Sequence, residues 1–437
     1  MKRSRKNSLS ILVTLLIACH TLAAQTGSFQ YKGRNPLAGN PVALVSADFN
    51  QDGNQDLAVV HYDSEEVSIL IGNGNGNFQT SGGYAVEGKP GSITAGDWNG
   101  DGKPDLAIAY QGDGTTPPGI AILLGTGDGS FLTGPRLLVN GGPTTVATAD
   151  FNRDGHADLV ISYGSNAEPP FTVFLGNGIG LFDAVVPVTG GRLWEEPPSA
   201  QSMVVADLNG DGKLDLVISP RVERLYAPLL PDQPLWYGTG LPDKVAVTLG
   251  NGDGSFQAVQ RFVLGEPTSE TWPGTNLAAL AAGDFDGDGA VDVAVLDDHS
   301  ESLFQGHLVL LRGNGDGGFY PLTALPLGFN YPSTLAACDL NNNGTALVIP
   351  QFSMEFIICI SGGCFSIGWP PQDARLWIYQ RTPDGSFRGT AERGFDAQVD
   401  RFGNFVHCSD LNNDGKQDVV LLNGNGVLIW LNTLPGQ

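Results

Sequence analysis

Seven aspartate-rich segments of nine residues recur along the 437-residue chain, each between two apolar runs. We number them loops 1 to 7, and they span residues 48 to 56, 97 to 105, 150 to 158, 207 to 215, 284 to 292, 339 to 347 and 410 to 418. Loop 4, DLNGDGKLD, shows oxygen-bearing side chains at positions 1, 3, 5 and 9 and glycine at position 6. A single copy could be an ordinary turn, because Asp, Asn and Gly favour turns. Six copies that keep all four oxygen positions instead indicate a repeated functional loop.

The spacing of these oxygens is typical of a loop that binds a hard divalent cation. Carboxylate and amide oxygens alternate, position 7 offers its backbone carbonyl, and glycine permits a sharp turn. We therefore predict calcium sites in six loops. The predicted ligand positions are Asp48, Asn50, Asp52, Asn54, Asp56, Asp97, Asn99, Asp101, Lys103, Asp105, Asp150, Asn152, Asp154, His156, Asp158, Asp207, Asn209, Asp211, Lys213, Asp215, Asp284, Asp286, Asp288, Ala290, Asp292, Asp410, Asn412, Asp414, Lys416 and Asp418.

Loops 5 and 6 depart from the common pattern. Loop 5 has four aspartates where the other complete loops have three and an asparagine, so we expect the tightest binding there. Loop 6 has Asp339 alone, with Asn343 at position 5 and Leu347 at position 9. We expect a weak or empty site in loop 6.

The residues between the loops predict a β-propeller. Repeats have four apolar runs, and a glycine-rich turn such as GNGDGSF, residues 250 to 256, joins the third run to the fourth. No segment has a sustained helical period, and no helix follows these turns, so hairpins are favoured over phosphate-binding loops. Four strands per repeat of roughly 50 to 75 residues are typical of propeller blades. The predicted fold is all-β, a seven-bladed propeller of four-stranded blades.

The two chain ends complete the last blade in this prediction. Residues 26 to 39 read as the end of a glycine-rich turn followed by a fourth strand, whereas the C-terminal part stops after a third strand. Joining them would close the ring and remove its open sheet edges.

These loops and turns resemble the FG-GAP/VCBS repeats of bacterial exported proteins, which are related to the integrin α-subunit propeller. The resemblance covers nearly all of residues 25 to 437. It implies a seven-bladed propeller with calcium between the first and second strands of each blade, and extracellular recognition more often than catalysis. The Phe-Gly and Gly-Ala-Pro signatures of integrin repeats are not evident, so integrin-like ligand specificity is not implied.

Residues 1 to 24 have the pattern of a secretory signal peptide, with a basic start, the apolar stretch SILVTLLIA and small residues at Ala23 and Ala24. The apolar stretch is too short to span a bilayer. Residues 16 to 19, LIAC, also resemble a lipobox, so a lipid anchor at Cys19 is the alternative to ordinary cleavage. The propeller would then occupy residues 25 to 437, and we expect a secreted protein, or one at the bacterial cell surface or in the periplasm.

Four cysteines remain after ordinary cleavage, and an even number in an exported chain favours two disulfides, with free thiols as the alternative. We predict that Cys359 pairs with Cys364 across a short turn, which leaves Cys338 for Cys408. Cys338 and Cys408 lie one and two residues before loops 6 and 7. Their opposite parity on neighbouring innermost strands would point the two side chains toward each other.

The acidity of the chain restricts its partners. A formal net charge of −23 disfavours nucleic acid and anionic membranes. We expect a monomer.

Aromatic insertions on the face opposite the loops are the predicted ligand-binding surface, with packing of the insertions themselves as the alternative. The residues are Trp194, Tyr226, Trp236, Tyr237, Trp272 and Trp369. No HExxH, GxSxG or Cys-His signature is present, which does not favour an enzyme. We predict a calcium-binding module for recognition or adhesion to a glycan or protein. The alternative is a polysaccharide lyase or glycoside hydrolase, which needs only a few acidic or basic groups in a cleft.

Overall fold

The computed structural model describes residues 29–139, 141–163, 171–187, 199–221, 244–263, 277–297, 307–321, 325–327, 334–340, 345–351, 355–360, 363–368, 375–381, 387–393 and 405–433. These ranges contain strands and turns and no helix. Consequently, no helical segment within them has the length and hydropathy of a membrane span.

The strands form seven antiparallel sheets, which we number blades 1 to 7, and one additional hairpin. Blade 1 contains β2 (Pro41–Ala47), β3 (Asp56–His61), β4 (Glu66–Gly72) and β5 (Phe78–Ala85). Blade 2 contains β6 (Pro90–Gly96), β7 (Asp105–Tyr110), β8 (Gly119–Gly125) and β9 (Phe131–Leu138). Blade 3 contains β10 (Pro143–Ala149), β11 (Asp158–Tyr163), β12 (Phe171–Gly176) and β13 (Phe182–Pro187). Blade 4 contains β14 (Ser199–Ala206), β15 (Asp215–Arg221), β16 (Lys244–Thr248) and β17 (Gln260–Val263).

The later blades vary more. Blade 5 contains β18 (Leu277–Gly283), β19 (Asp292–Asp297), β20 (His307–Gly313) and β21 (Phe319–Pro321), with β22 (Leu325–Pro326) also paired to β20. Blade 6 contains β23 (Ala336–Cys338), β24 (Ala346–Gln351), β27 (Arg375–Arg381) and β28 (Phe387–Arg393), and the hairpin β25 (Glu355–Ile360) and β26 (Gly363–Gly368) is inserted between β24 and β27. Blade 7 contains β29 (Phe405–Ser409), β30 (Asp418–Asn423), β31 (Gly426–Asn432) and β1 (Phe29–Pro36). The predicted all-β, seven-bladed propeller is confirmed.

Blade 7 combines one strand from the N-terminal part of the chain with three strands from the C-terminal part. β1 is antiparallel to β31, with Phe29 opposite Asn432 and Pro36 opposite Gly426. The register shifts between Tyr31 and Gly33, where one extra residue forms an irregularity. The outermost strand of this blade therefore comes from the N-terminal part of the described chain.

The core lies between adjacent blades. The second strands of blades 1 and 2, DLAVVH and DLAIAY, are buried at every residue because neighbouring blades cover both faces of each sheet. Val60 and Ile69 of blade 1, for example, share a cluster with Ile108 of blade 2. Burying one such aliphatic side chain contributes about 1.5–3 kcal/mol, so every blade depends on its neighbours for stability.

Blades 6 and 7 are joined covalently. Cys338 and Cys408 form a disulfide with a Cα–Cα distance of 5.9 Å, which confirms the parity argument. In the inserted hairpin, Cys359 lies directly opposite Cys364 in the strand register. The side chains of Cys359 and Cys364 lie outside the described residues, so their pairing stays a prediction.

Candidate metal centre

Loops 1 to 5 and 7 share one backbone conformation. Glycine at position 6 has positive φ throughout, from 77° at Gly102 to 88° at Gly289. Position 4 also has positive φ, including the non-glycine residues Gln51, Arg153 and Asn413. Sequence reasoning identified position 6 and missed position 4, although glycine at position 4 in loops 2, 4 and 5 was an available signal. Two left-handed residues, separated by the position-5 aspartate, fold each of these loops back on itself.

The aspartate at position 9 fastens each loop to its blade. Asp56 is fully buried; its Oδ2 accepts a hydrogen bond from the Phe49 amide at 2.9 Å, and its Oδ1 accepts one from the Gly72 amide at 2.7 Å. The other complete loops repeat both contacts, through Asp105, Asp158, Asp215, Asp292 and Asp418. This carboxylate therefore ties the start of the loop to the end of the third strand, a structural role that sequence reasoning did not assign.

Close approach explains the glycine that ends the third strand. A Cβ at Gly72 would lie 2.1 Å from the Gln55 carbonyl oxygen, and one at Gly176 would lie 2.1 Å from the Ala157 carbonyl oxygen. Among the six complete loops, all of which the structure describes, blade 7 alone has a larger residue, Asn432, as the donor of this amide. The tight backbone contact holds the position-9 carboxylate where water is excluded. Burial accordingly raises the pKa of Asp105, Asp158 and Asp418 to about 6.

The first aspartate of each loop is held by backbone amides. In loop 2, Asp97 Oδ1 accepts from the Asp101 amide at 3.2 Å and Asp97 Oδ2 accepts from the Gly102 amide at 2.8 Å. The position-2 side chain, such as Trp98, is buried beneath and anchors the loop. Positions 1, 3 and 5 consequently present oxygens at the open side of the loop.

The carboxylates converge most closely in loop 5. Asp284, Asp286 and Asp292 each offer one oxygen, and these three oxygens lie within 4.8 Å of one another. It is the one group of three or more acidic, histidine or cysteine ligands that meets this criterion in the described ranges. An anionic set made only of oxygens fits Ca²⁺ or another hard cation. Asp286 takes the place of the asparagine found at position 3 in the other complete loops.

The chain was compared with known families and structures. The family model described as FG-GAP-like repeat matches residues 48–108, 97–161, 235–295 and 284–348. The chain belongs to the FG-GAP-like repeat family. Three of the four matched segments begin at the first aspartate of a loop, so the FG-GAP repeat and the loop coincide.

A search of curated proteins found no match. Among solved structures, an Agrocybe aegerita lectin described as specifically recognising non-reducing terminal N-acetylglucosamine is similar at 17% identity, with a TM-score of 0.48. The alignment covers 89% of this chain and 87% of the lectin chain. Similarity at this level carries no argument about the ligand of the present protein.

Four of the FG-GAP loops are also joined to the next blade. We call residues 73–77, 126–130, 177–181, 251–255 and 314–318, which connect the third and fourth strands, the glycine turns. The Gly129 amide in blade 2 donates to the Phe49 carbonyl in loop 1 at 3.0 Å, and the Gly180 amide in blade 3 donates to the Trp98 carbonyl in loop 2 at 2.7 Å. The turns of blades 4 and 1 make the same contact with loops 3 and 7. Loops and glycine turns therefore share one face.

Basic side chains face the position-5 aspartate in several loops. Lys103 Nζ lies 3.3 Å from Asp101, and Lys213 Nζ lies 3.0 Å from Asp211. Both lysines occupy position 7, which was predicted to contribute only its carbonyl. In loop 5 position 7 is alanine, and Arg312 from β20 reaches the aspartates instead. Sequence reasoning missed Arg312 because it lies 20 residues after the loop on another strand.

Loop 6 differs from the sequence expectation by one residue. In the other blades the residue before the loop pairs with position 9, as Ala47 does with Asp56, but Cys338 pairs with Ala346 and not with Leu347. The segment between the first and second strands is therefore one residue shorter in blade 6 than in the other blades. Buried Ala346 occupies the place of the position-9 carboxylate. Residues 341 to 344 lie outside the described residues, so the predicted weak site there is untested.

The predicted ligand-binding aromatics also lie outside the described residues. These are Trp194, Tyr226, Trp236, Tyr237, Trp272 and Trp369. Their role in recognition stays a prediction.

Proposed function

We propose that this protein is an exported recognition module whose FG-GAP loops bind calcium and whose aromatic insertions, on the face opposite those loops, bind a glycan or a protein. The observation that carries the proposal is the convergence of the Asp284, Asp286 and Asp292 oxygens within 4.8 Å. The same loop backbone recurs in five other blades, which supports a set of related sites.

Electrostatics supports a cation in these loops. Three or four carboxylates within one nine-residue turn repel each other, and backbone amides offset only part of that repulsion. Asp52, for instance, accepts hydrogen bonds from the Asn54 backbone amide at 2.8 Å and the Asn50 side-chain amide at 2.9 Å, but it has no basic residue at position 7 of its loop. A bound Ca²⁺ would supply two positive charges to such a loop and stiffen the hairpin that carries it.

The inter-blade contacts support a stabilising role. Loop 1 accepts a hydrogen bond from the glycine turn of blade 2, and the Gln51 side chain of loop 1 donates to the Gly102 carbonyl of loop 2 at 3.1 Å. Stiffening one loop would therefore also restrain the next blade. A rigid ring of turns is a suitable support for a binding surface, because preorganisation lowers the entropic cost of association.

Calcium titration of the metal-free full chain tests the cation part of the proposal. We expect binding in the micromolar to millimolar range of extracellular sites, and a rise in Tm of several degrees when millimolar calcium replaces chelator. The variant Asp207→Asn should weaken one site about tenfold or more, because it removes a charged ligand from loop 4. Asp253→Asn removes one carboxylate from the glycine turn of the same blade and should leave affinity unchanged. Absence of calcium binding in the wild type, or equal effects of both variants, would refute calcium loops.

Glycan and protein arrays, each probed with and without calcium, test the recognition part. Retained ligand that is recovered intact supports a binding module. Release of shortened or unsaturated oligosaccharides, detected by mass spectrometry, would instead establish the lyase or hydrolase alternative.

A further inference from the structure

Arg312 occupies a position that is aliphatic in the comparable blades. It is the residue before the one whose amide binds the position-9 aspartate, and in the other blades with complete loops this position is Ile71, Leu124, Leu175, Leu249 or Leu431. Those aliphatic side chains pack on the glycine turn of the next blade; a Cβ at Gly254, for example, would lie 2.8 Å from Leu175 Cδ2. Arg312 instead turns to the aspartates of its own blade.

The guanidinium of Arg312 bridges two predicted ligands of loop 5. Arg312 Nε lies 2.6 Å from Asp286 Oδ2, and Arg312 Nη2 lies 2.7 Å from Asp288 Oδ2. Nε also donates to Asp288 Oδ2 at 3.2 Å. An arginine stays charged at all relevant pH values and presents its donors in a fixed plane, which suits simultaneous contact with two carboxylates. The hydrogen bond from Arg312 is the largest cause that lowers the pKa of Asp288.

Loops 2 and 4 show how this arrangement differs from the common one. Lys103 and Lys213 each contact the position-5 aspartate of their own loop, and position 3 is an uncharged asparagine. In loop 5 the positive charge comes from another strand and contacts positions 3 and 5 together. The extra carboxylate Asp286 and the extra cation Arg312 therefore occur in the same blade and touch each other.

We propose that Arg312 is an intramolecular competitor for the cation at loop 5. This inference rests on the proposed calcium binding. In the absence of metal, Arg312 satisfies Asp286 and Asp288; a cation that uses the same oxygens has to displace it. Loop 5 then binds its cation more weakly than four carboxylates would suggest, and it responds to changes in calcium concentration instead of holding the ion permanently. The residue outside the loop sets the affinity of the loop.

The decisive variant is Arg312→Leu, which installs the residue found in blades 2, 3 and 4. Calcium titration of the metal-free full chain should show one site tightened about tenfold, equivalent to about 1.4 kcal/mol, with the other sites unchanged. In chelator the same variant should unfold at a lower temperature than wild type, because the aspartates lose their internal counter-ion. The opposite signs of these two effects distinguish competition from a simple structural role.

Three further variants serve as controls for the Arg312→Leu experiment. Arg136→Leu breaks an exposed arginine–carboxylate pair between Arg136 of blade 2 and Glu87. It should change neither the calcium affinities nor the unfolding temperature in chelator. Adding Asp286→Asn to Arg312→Leu should abolish the gain in calcium affinity, which would assign that gain to loop 5. If Arg312→Leu does not fold, Arg312→Lys keeps the charge without the planar fork and should give a smaller gain.

Failure of the inference differs from failure of the proposed function. If wild-type protein binds calcium but Arg312→Leu leaves every affinity unchanged or weakens one, competition by Arg312 is refuted and calcium binding stands. If wild-type protein binds no calcium, the proposed function is refuted, and the inference falls with it.

Discussion

The interface between blades 6 and 7 and the interface between blades 7 and 1 use the same backbone geometry but different chemistry. In both, the residue one before a loop faces the residue two before the next loop in the ring. At the first interface these residues are Cys338 and Cys408, which form the disulfide. At the second they are Ser409 and Ser46, whose hydroxyl groups are hydrogen-bonded at 3.1 Å.

The serine interface continues as a chain of hydrogen bonds. His407 Nε2 lies 2.8 Å from Ser46 Oγ, Ser46 Oγ donates to Ser409 Oγ, and Ser409 Oγ donates to Gln55 Oε1 at 3.5 Å. Ser46 gives its hydroxyl proton to Ser409, so Ser46 Oγ can only accept from His407. His407 Nε2 is therefore the donor to Ser46. At the other interface, the equivalent glutamine of loop 7, Gln417, accepts from the Asp339 amide at 2.8 Å.

The ring geometry therefore defines a contact position, and the side chains at that position decide whether the contact is covalent. Blades 2 and 3 have Gly96 and Thr148 there, with a Cβ at Gly96 placed 3.4 Å from Thr148 Oγ1. The covalent bond belongs to blade 6, where buried Ala346 has replaced the position-9 carboxylate. A disulfide therefore restrains the blade whose loop has lost its usual hydrogen-bonded attachment.

Removing the disulfide should have the largest effect. Cys338→Ser with Cys408→Ser should lower the free energy of unfolding by about 4 kcal/mol, because the bond closes a chain segment with a sequence separation of 70 residues. Denaturant unfolding followed by tryptophan fluorescence measures the change. Reduced wild-type protein is the control and should match the double variant under the same reducing conditions, where the predicted Cys359–Cys364 bond is open in both. An unchanged midpoint in the double variant would contradict a stabilising role of the disulfide.

Converting the serine interface into a cysteine pair should stabilise the protein somewhat less. Ser46→Cys with Ser409→Cys should oxidise spontaneously and raise the free energy of unfolding by about 2–4 kcal/mol, the usual range for a disulfide. The comparison is between the oxidised variant and oxidised wild type, which both keep the Cys338–Cys408 bond, with peptide mapping to establish the new bond. Two thiols that stay free under oxidant would contradict the geometric equivalence of the interfaces.

Acid should weaken the serine interface selectively. Burial lowers the pKa of His407 to about 4, below its ordinary 6.5, so the unfolded chain takes up this proton first as pH falls. Keeping His407 neutral therefore contributes fully to the free energy of unfolding above pH 6.5. About 2 kcal/mol of this free energy should be lost at pH 5. His407→Gln keeps an amide donor for Ser46 and should remove this loss.

The comparison with His407→Gln is needed because other groups act in the opposite direction. Burial raises the pKa of Asp105, Asp158 and Asp418 to about 6, so the metal-free folded state takes up these protons first and gains stability as pH falls from 6 to 4. These aspartates are present in both proteins and cancel in the difference. Parallel pH profiles of wild type and variant would contradict the role of His407.

Repetition made the fold predictable from sequence. Six near-identical loops and several glycine turns fixed the positions of the strands, and parity along two innermost strands was sufficient to pair Cys338 with Cys408. Both inferences use local spacing together with the twofold alternation of a strand.

The features that were missed depend on distance in sequence or on register. Arg312 reaches loop 5 from another strand, and the chain from His407 to Ser46 joins residues 361 apart. The one-residue shortening of loop 6 is visible only in the pairing of Cys338 with Ala346. A sequence pattern locates candidate ligands, but it does not show which oxygens the backbone amides already use, as at Asp56.

Long-wavelength anomalous diffraction from crystals grown in millimolar calcium would test the central claim most directly. Each loop has its own position in the density, so the measurement identifies every occupied loop. We expect anomalous peaks among the oxygens of positions 1, 3, 5 and 9 in loops 1 to 5 and 7, none in loop 6, and Arg312 moved away from Asp286 where loop 5 is occupied. Calcium-free loops throughout, with Arg312 still bridging Asp286 and Asp288, would contradict the central claim.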